Sequence, residues 1–139
     1  MNMFKQLTLG LILSFFAGSA LALDEINTSW LSNVALEGHD PVGYFKENAP
    51  VKGSKAHQLE WKGATWHFSS AENKALFESN PEKYAPQYGG YCAFAAAKNS
   101  IANGDPEQFT IVDDKLYLNY NAQVRKMWLV STDKFIADA

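Results

Sequence analysis

The sequence predicts a small single α+β domain built from antiparallel β-hairpins and short helices. Two observations support this prediction. Twice along the chain, two strand-like segments are separated by only two residues, the spacing of a tight hairpin. Each of these pairs is followed by residues that commonly begin helices. Helices that follow antiparallel hairpins, rather than alternating with single strands, are typical of α+β folds.

The first hairpin is predicted at residues 57–68. Polar and apolar residues alternate over 57–61, and residues 64–68 are rich in aromatic and β-branched side chains. Lys62 and Gly63 separate the two segments, and Gly63 readily adopts the positive φ that a two-residue hairpin turn needs.

Two short helices should follow this hairpin. Ser69 stands three residues before Glu72, which is the spacing of a capping box. A second helix is predicted from Pro81 to about Ala85, with Asn80 as its cap and proline at its first position.

A second hairpin and two more helices are predicted towards the C-terminus. Segments 109–112 and 115–120 flank the pair Asp113-Asp114, which suits a turn. Asn121 is expected to cap a helix from residue 122 to about 129, and a last short helix should cover 133–138.

Residues 1–22 have the pattern of a secretory signal peptide. One positive charge precedes an apolar run at 7–16, and small residues stand at the two positions read before cleavage, Ala20 and Ala22. The run is short for a membrane span and is soon followed by Asp24 and Glu25. We therefore expect a mature domain at residues 23–139, periplasmic or secreted; a retained N-terminal anchor is the competing interpretation.

The charge of the mature domain excludes some partner classes. Removing residues 1–22 removes one of 12 basic residues and none of the 15 acidic ones, which leaves a formal charge of 11 − 15 = −4. Nucleic-acid binding relies on clustered basic residues, and this chain has no such cluster. We expect no nucleic-acid partner and, after cleavage of the signal, no membrane association.

Cys92 is the single cysteine and lies in the segment Tyr88-Gly89-Gly90-Tyr91-Cys92-Ala93-Phe94. One cysteine excludes an intrachain disulfide. In an oxidising compartment an exposed free thiol is vulnerable, so Cys92 is expected to be buried, to bind a ligand, or to be reactive. The sequence leaves these three alternatives open.

Two histidines are candidate partners of Cys92. His39 precedes Asp40-Pro41, where Asp40 is expected to cap a turn that holds the histidine near the surface. His67 alternates with Trp66 and Phe68, so it should face solvent or a cleft if those rings face the core.

The sequence favours a binding protein over an enzyme. It has no Cys-x-x-Cys pair for disulfide exchange and no glycine-rich phosphate loop with its lysine and hydroxyl residue. A nucleophilic pair would need Cys92 beside a histidine that a third group orients, and no local spacing predicts this.

Several segments together resemble the YHS domain, and the exported single-domain members of that family most closely. The resemblance covers roughly residues 34–136. It rests on Asp40-Pro41-Val42, Trp66-His67-Phe68-Ser69-Ser70, Phe77, Asn80-Pro81-Glu82-Lys83-Tyr84, Tyr88-Gly89-Gly90-Tyr91-Cys92-Ala93 and Lys115-Leu116-Tyr117-Leu118-Asn119-Tyr120.

The resemblance implies a binding protein whose ligand is a transition metal ion, copper ahead of zinc, held by Cys92 with His67 or His39. Short YHS modules of copper-transporting ATPases are taken as metal-binding, and their pattern has three cysteines. Gly43, Ser69 and Asn73 stand at those positions here, so that thiolate set is absent.

Two other interpretations stay open, and neither specifies a protein partner. One is a reactive-thiol redox protein or enzyme that uses Cys92. The other is a structural or interaction domain in which the cysteine is a buried filler.

Overall fold

The computed structural model describes residues 23–139, and the predicted signal peptide at 1–22 lies outside them. Within 23–139 no helix has the length and apolar character needed to cross a membrane. The described chain is a small α+β domain with two separate two-stranded antiparallel sheets, as the sequence predicts. Its helices and strands, in chain order, are α1 (Pro41–Glu47), β1 (Ser54–Trp61), β2 (Ala64–Phe68), α2 (Ala71–Ser79), α3 (Pro81–Tyr84), α4 (Ala93–Ala97), β3 (Asp105–Val112), β4 (Lys115–Asn119), α5 (Ala122–Val130) and α6 (Thr132–Asp138).

Both predicted hairpins are confirmed. β1 pairs with β2, and Trp61 lies opposite Ala64 across the turn. Lys62 (φ 50°) and Gly63 (φ 76°) are both left-handed, as a two-residue turn that follows the strand twist requires.

The second hairpin turns in the same way without a glycine. β3 pairs with β4, and both Asp113 and Asp114 are left-handed, with φ of 51° and 64°. Short polar residues tolerate this conformation better than most, because their side chains can hydrogen-bond locally. Each hairpin has an irregular register near its open end.

The helix starts correct two details of the sequence prediction. The cap of α2 is Ser70, whose hydroxyl accepts from the Asn73 backbone N–H at 3.0 Å; Ser69 does not cap the helix because its hydroxyl is bonded elsewhere. Pro81 does begin α3, but the Asn80 side chain makes no capping bond. Asn121 caps α5 as predicted, accepting from the Val124 N–H at 2.8 Å.

Two hydrophobic clusters form the core of the described residues. The larger one joins both hairpins to α1 and α2, with four fully buried rings at its centre: Tyr44, Trp66, Phe68 and Phe77. The smaller one packs Ala93, Tyr117 and Trp128 between β4 and the helices of the C-terminal half. Residues of β4 alternate between them, since Leu116 and Leu118 face the larger cluster and Tyr117 faces the smaller.

Two connections use three consecutive left-handed residues. Leu36, Glu37 and Gly38 have φ of 55°, 49° and 83°, and Tyr88, Gly89 and Gly90 have φ of 57°, 64° and 90°. The second run packs against the start of the described chain. A Cβ on Gly89 would lie 1.8 Å from the carbonyl oxygen of Glu25, so only glycine permits this close approach.

We expect Gly89→Ala to destabilise the fold more than Gly63→Ala does. Both glycines are left-handed, so both substitutions carry a conformational cost of about 1–2 kcal/mol. Only Gly89 also has backbone atoms in the way, which adds about 1–3 kcal/mol, whereas a Cβ on Gly63 would meet nothing within 4 Å. Urea unfolding of the two variants measures the difference, and equal losses would contradict the packing argument.

Candidate functional site around His67

Asp40 is a fully buried carboxylate at the start of α1. Its Oδ1 accepts from the backbone N–H groups of Val42 at 2.9 Å and of Gly43 at 3.3 Å. These bonds satisfy amide donors that the first helical turn leaves without partners, so Asp40 caps the helix as the sequence predicts.

The second oxygen of Asp40 joins α1 to the segment that follows β2. Its Oδ2 accepts from the Ser69 backbone N–H at 2.8 Å, from the Ser69 hydroxyl at 2.7 Å and from Asn73 Nδ2 at 2.8 Å. Asn73 Oδ1 in turn accepts from the Lys46 ammonium at 2.9 Å. The buried negative charge is therefore hydrogen-bonded throughout and connected through Asn73 to a cation.

His39 is buried rather than held near the surface, being only 7% exposed. Its Nδ1 lies 3.0 Å from the Leu36 carbonyl oxygen, and its Nε2 lies 3.4 Å from a carboxylate oxygen of Glu107. Both ring nitrogens therefore already face oxygen atoms of the protein. This arrangement gives His39 a structural role, because it links the left-handed run Leu36–Gly38, called here the Leu36 turn, to β3.

His67 lies on β2 and faces a cleft, one of the two orientations expected from strand alternation. Its neighbours Trp66 and Phe68 are fully buried in the larger core, whereas His67 is 8% exposed. Neither of its ring nitrogens has a hydrogen-bond partner among residues 23–139. Gly53 packs against the backbone of His67, and a Cβ on Gly38 would lie 3.4 Å from its Nδ1.

The cleft at His67, called here the His67 cleft, has a volume of about 430 Å³. Its walls come from the loop before the Leu36 turn, from that turn, and from the chain that leads into β1. The lining residues with polar or charged side chains are Ser29, Ser32, Glu37, Lys52, Lys55 and His67. A cleft of this size with a few converging polar groups has the dimensions of a small-ligand site.

The environment of His67 favours its neutral form. Burial lowers the pKa of His67 from its ordinary value of 6.5, and the nearby Lys55 cation lowers it further. The imidazole at pH 7 therefore presents one N–H donor and one free acceptor nitrogen.

Cys92 lies on a different side of the domain, at the start of α4, and is 1% exposed. Its thiol donates to Asn119 Oδ1 at 3.5 Å, and the same oxygen accepts from the Phe94 N–H at 3.0 Å. Cys92 also borders a separate cleft of about 330 Å³ between the start of the described chain and α4, and no histidine lines it. Of the three alternatives that the sequence leaves open for Cys92, the structure shows burial.

A family model for the YHS domain matches residues 42–88. Over this segment the chain is similar to the YHS domain. The match includes His67 and ends before Cys92, and His39 precedes it. Comparison with curated proteins and with solved structures returned no match.

The three positions where metal-binding YHS modules carry cysteines do meet in this structure, but around a carboxylate. Ser69, Asn73 and the backbone of Gly43 all donate to Asp40. The first position is also closed by packing, since a Cβ on Gly43 would lie 2.7 Å from the Cβ of Val51. In this chain the Asp40 hydrogen bonds occupy the place of the thiolate set.

The metal site predicted from the sequence requires Cys92 to meet His67 or His39. Among residues 23–139, no three side chains of the His, Cys, Asp and Glu types are placed to hold a metal ion together. As placed, Cys92 faces Asn119, and His39 faces Leu36 and Glu107, so these residues do not fit a shared metal ion. Metal binding stays a prediction that titration has to test.

Sequence reasoning missed three charged residues of the His67 cleft: Glu37, Lys52 and Lys55. Glu37 also borders two neighbouring clefts. Isolated charges in polar loops have no periodicity that would distinguish them from ordinary solvated residues. Lys52 and Lys55 lie on either side of Gly53, and this spacing is the sequence signal that could have indicated the cleft. The signal becomes informative only once the structure shows Gly53 packed against His67.

We expect Asp40→Asn to lower the free energy of unfolding by roughly 2–5 kcal/mol. The new amide nitrogen would be a donor placed among donors, and the Ser69 and Asn73 groups would lose their acceptor. Ser69→Ala, which removes only one donor, should cost about 1 kcal/mol. Urea unfolding compares the two, and an Asp40→Asn loss no larger than that of Ser69→Ala would contradict the central role of Asp40.

We expect the stability of the wild-type protein to fall between pH 7.5 and pH 5.5, in part because of His67. The pKa of His67 is lower in the folded than in the unfolded chain, so the unfolded chain takes up this proton first as the pH falls. The contribution of His67 to the free energy of unfolding is full above about pH 6.5 and is lost as the pH falls below it. The free energy of unfolding changes by at most about 1.4 kcal/mol per pH unit from this one group.

His67→Gln should flatten this pH dependence in urea unfolding measured at several pH values. The charged groups that face the ring in the cleft, Lys52, Lys55 and Glu37, remain in the variant. The matched control is His57→Gln, which removes a half-buried histidine of β1 outside the cleft. A His67→Gln curve parallel to that of the wild type would contradict the prediction.

Proposed function

We propose that this protein is a small non-catalytic binding protein that holds its ligand in the His67 cleft. The observation that carries the proposal is the state of the His67 ring. It is a mostly buried polar side chain with no hydrogen-bond partner among residues 23–139, and it lines an open cleft. Polar groups of folded proteins are nearly always hydrogen-bonded, so solvent or a ligand in the cleft is expected to supply the partners of these ring nitrogens.

The neighbouring residues favour binding over catalysis. A nucleophile–base pair needs the two side chains within hydrogen-bond reach. Ser29 and Ser32 line the same cleft, but neither hydroxyl is bonded to His67 in the described chain. Cys92 borders a different cleft, which no histidine lines. The His67 cleft therefore has the groups to hold a ligand without a paired nucleophile.

The other clefts of the described chain offer less chemistry. The cleft between the two left-handed runs measures about 320 Å³ and has Leu36, Pro106 and Leu118 among its lining residues. The polar side chains around it are amides, hydroxyls and the Glu37 carboxylate. None of these side chains is an imidazole, which in its neutral form offers both an N–H donor and an acceptor nitrogen. His67 makes its own cleft the stronger candidate.

The proposal is tested by NMR with the ring signals of the three histidines resolved. Inorganic phosphate, succinate and Zn²⁺ are added separately to the wild-type protein, to His67→Gln and to His57→Gln. We expect at least one probe to shift the His67 signals in a saturable way, and His67→Gln to abolish that binding while His57→Gln retains it. If no probe perturbs His67, or if every perturbation survives in His67→Gln, the proposed site is wrong.

The copper or zinc site predicted from the sequence is tested separately with Cys92→Ser. Cu(I) is titrated anaerobically against a competing chelator into the wild type and this variant. Because Cys92 is enclosed and bonded to Asn119, we expect both to give the same stoichiometry. One tight equivalent that is lost in Cys92→Ser would instead establish the thiol as a copper ligand.

A further inference from the structure

We propose that the ligand of the His67 cleft is a small oxyanion, a carboxylate or a phosphate. This inference rests on the proposed function, because it names the chemical class that the same cleft would take. It is carried by the charge of the cleft walls and by the accessibility of the His67 ring.

Two lysines line the cleft without carboxylate partners. Lys46, Lys62 and Lys134 form ion pairs with acidic residues, whereas Lys52 and Lys55 form none with the carboxylates of residues 23–139. Against these two cations stands one lining carboxylate, that of Glu37, so the cleft has a net formal charge of one positive. A locally positive cleft in a chain of net charge −3 concentrates small anions.

The remaining polar side chains add donors of the kind that oxyanions accept. Ser29 and Ser32, which carry hydroxyl donors, line the cleft, and neutral His67 supplies an N–H. Together with the two ammonium groups, the cleft offers donors from three separate segments of the chain. Charge-assisted hydrogen bonds to a carboxylate or phosphate are stronger than those between neutral groups.

Gly38 keeps the histidine ring reachable. A Cβ at this position would lie 3.4 Å from His67 Nδ1 and has no other atom within 4 Å, so a side chain here would cover that nitrogen. Gly38 is also left-handed, with φ of 83°. The cleft therefore has a glycine where any larger residue would stand between the imidazole and an incoming ligand.

The same charges disfavour a metal cation as the primary ligand. His67 and Glu37 are the only lining side chains that commonly ligate transition metals, and both ammonium groups repel a cation. A bound anion, by contrast, would gain from both lysines. This difference separates the two ligand classes in one experiment.

The test measures the affinity of phosphate and of succinate for the full mature protein by NMR titration in a Tris buffer. The variants are Lys52→Gln, Lys55→Gln and the double variant. Lys115→Gln is the matched control because it changes the net charge equally at the distant second hairpin. We expect each cleft lysine to be worth about threefold in affinity and the pair about tenfold, with Lys115→Gln near wild type.

The outcomes separate the two proposals. The probe that binds more tightly, phosphate or succinate, shows whether the cleft prefers a phosphate or a carboxylate. Added NaCl should weaken the binding of both. If Zn²⁺ shifts His67 while neither anion does, the oxyanion inference is overturned and the proposed site stands. If Lys115→Gln lowers the anion affinity as much as Lys52→Gln or Lys55→Gln does, the oxyanion inference is also overturned, because the effect would then follow from net charge alone. If no probe reaches His67, the proposed function itself fails.

Discussion

The buried carboxylate of Asp40 is the interaction on which the arrangement of this domain depends. It accepts five hydrogen bonds, two from the first turn of α1 and three from Ser69 and Asn73. Gly38 lies two residues before Asp40, and His67 lies two residues before Ser69. The bonds between Asp40 and Ser69 therefore hold together two of the segments that line the His67 cleft.

Glycine packing completes the cleft that Asp40 positions. Gly53 lies so close to the backbone of His67 that a Cβ there would be 2.6 Å from its carbonyl carbon, and the Gly53 N–H donates to the Gly38 carbonyl at 2.8 Å. Gly53 thus packs against the backbone of His67, and Gly38 lies beside Nδ1 of its ring. Burial of the ring, together with the Lys55 cation, lowers the pKa of His67, while its nitrogens have no hydrogen-bond partner among residues 23–139.

Local features of the fold were predictable because their causes are local. The turn residues Lys62-Gly63 and Asp113-Asp114 set the hairpins, and Asn121 caps α5 through a bond to a residue three positions away. Ser69 shows the limit of such reasoning. Its spacing to Glu72 fits a capping box, but the hydroxyl bonds to Asp40, 29 residues earlier, and Ser70 caps the helix instead.

The candidate site was predictable only in part for the same reason. Strand alternation around Trp66 and Phe68 indicated that His67 faces outward, and the cleft it faces is formed by residues 12 to 38 positions earlier in the chain. His39 was expected near the surface, but it is buried beside the carboxylate of Glu107. Glu107 is distant in sequence, so no local pattern around His39 could predict this contact. The contacts of Cys92 with Asn119 likewise join residues 27 positions apart.

The contact between Gly43 and Val51 limits how this sequence can change during evolution. A cysteine at 43 would bring its Cβ to 2.7 Å from that of Val51, and cysteines at 69 or 73 would each withdraw donors from a buried carboxylate. Each single step towards a three-thiolate site therefore costs stability before the site exists. In this structure, three cysteines at positions 43, 69 and 73 would need compensating changes at Val51 and Asp40.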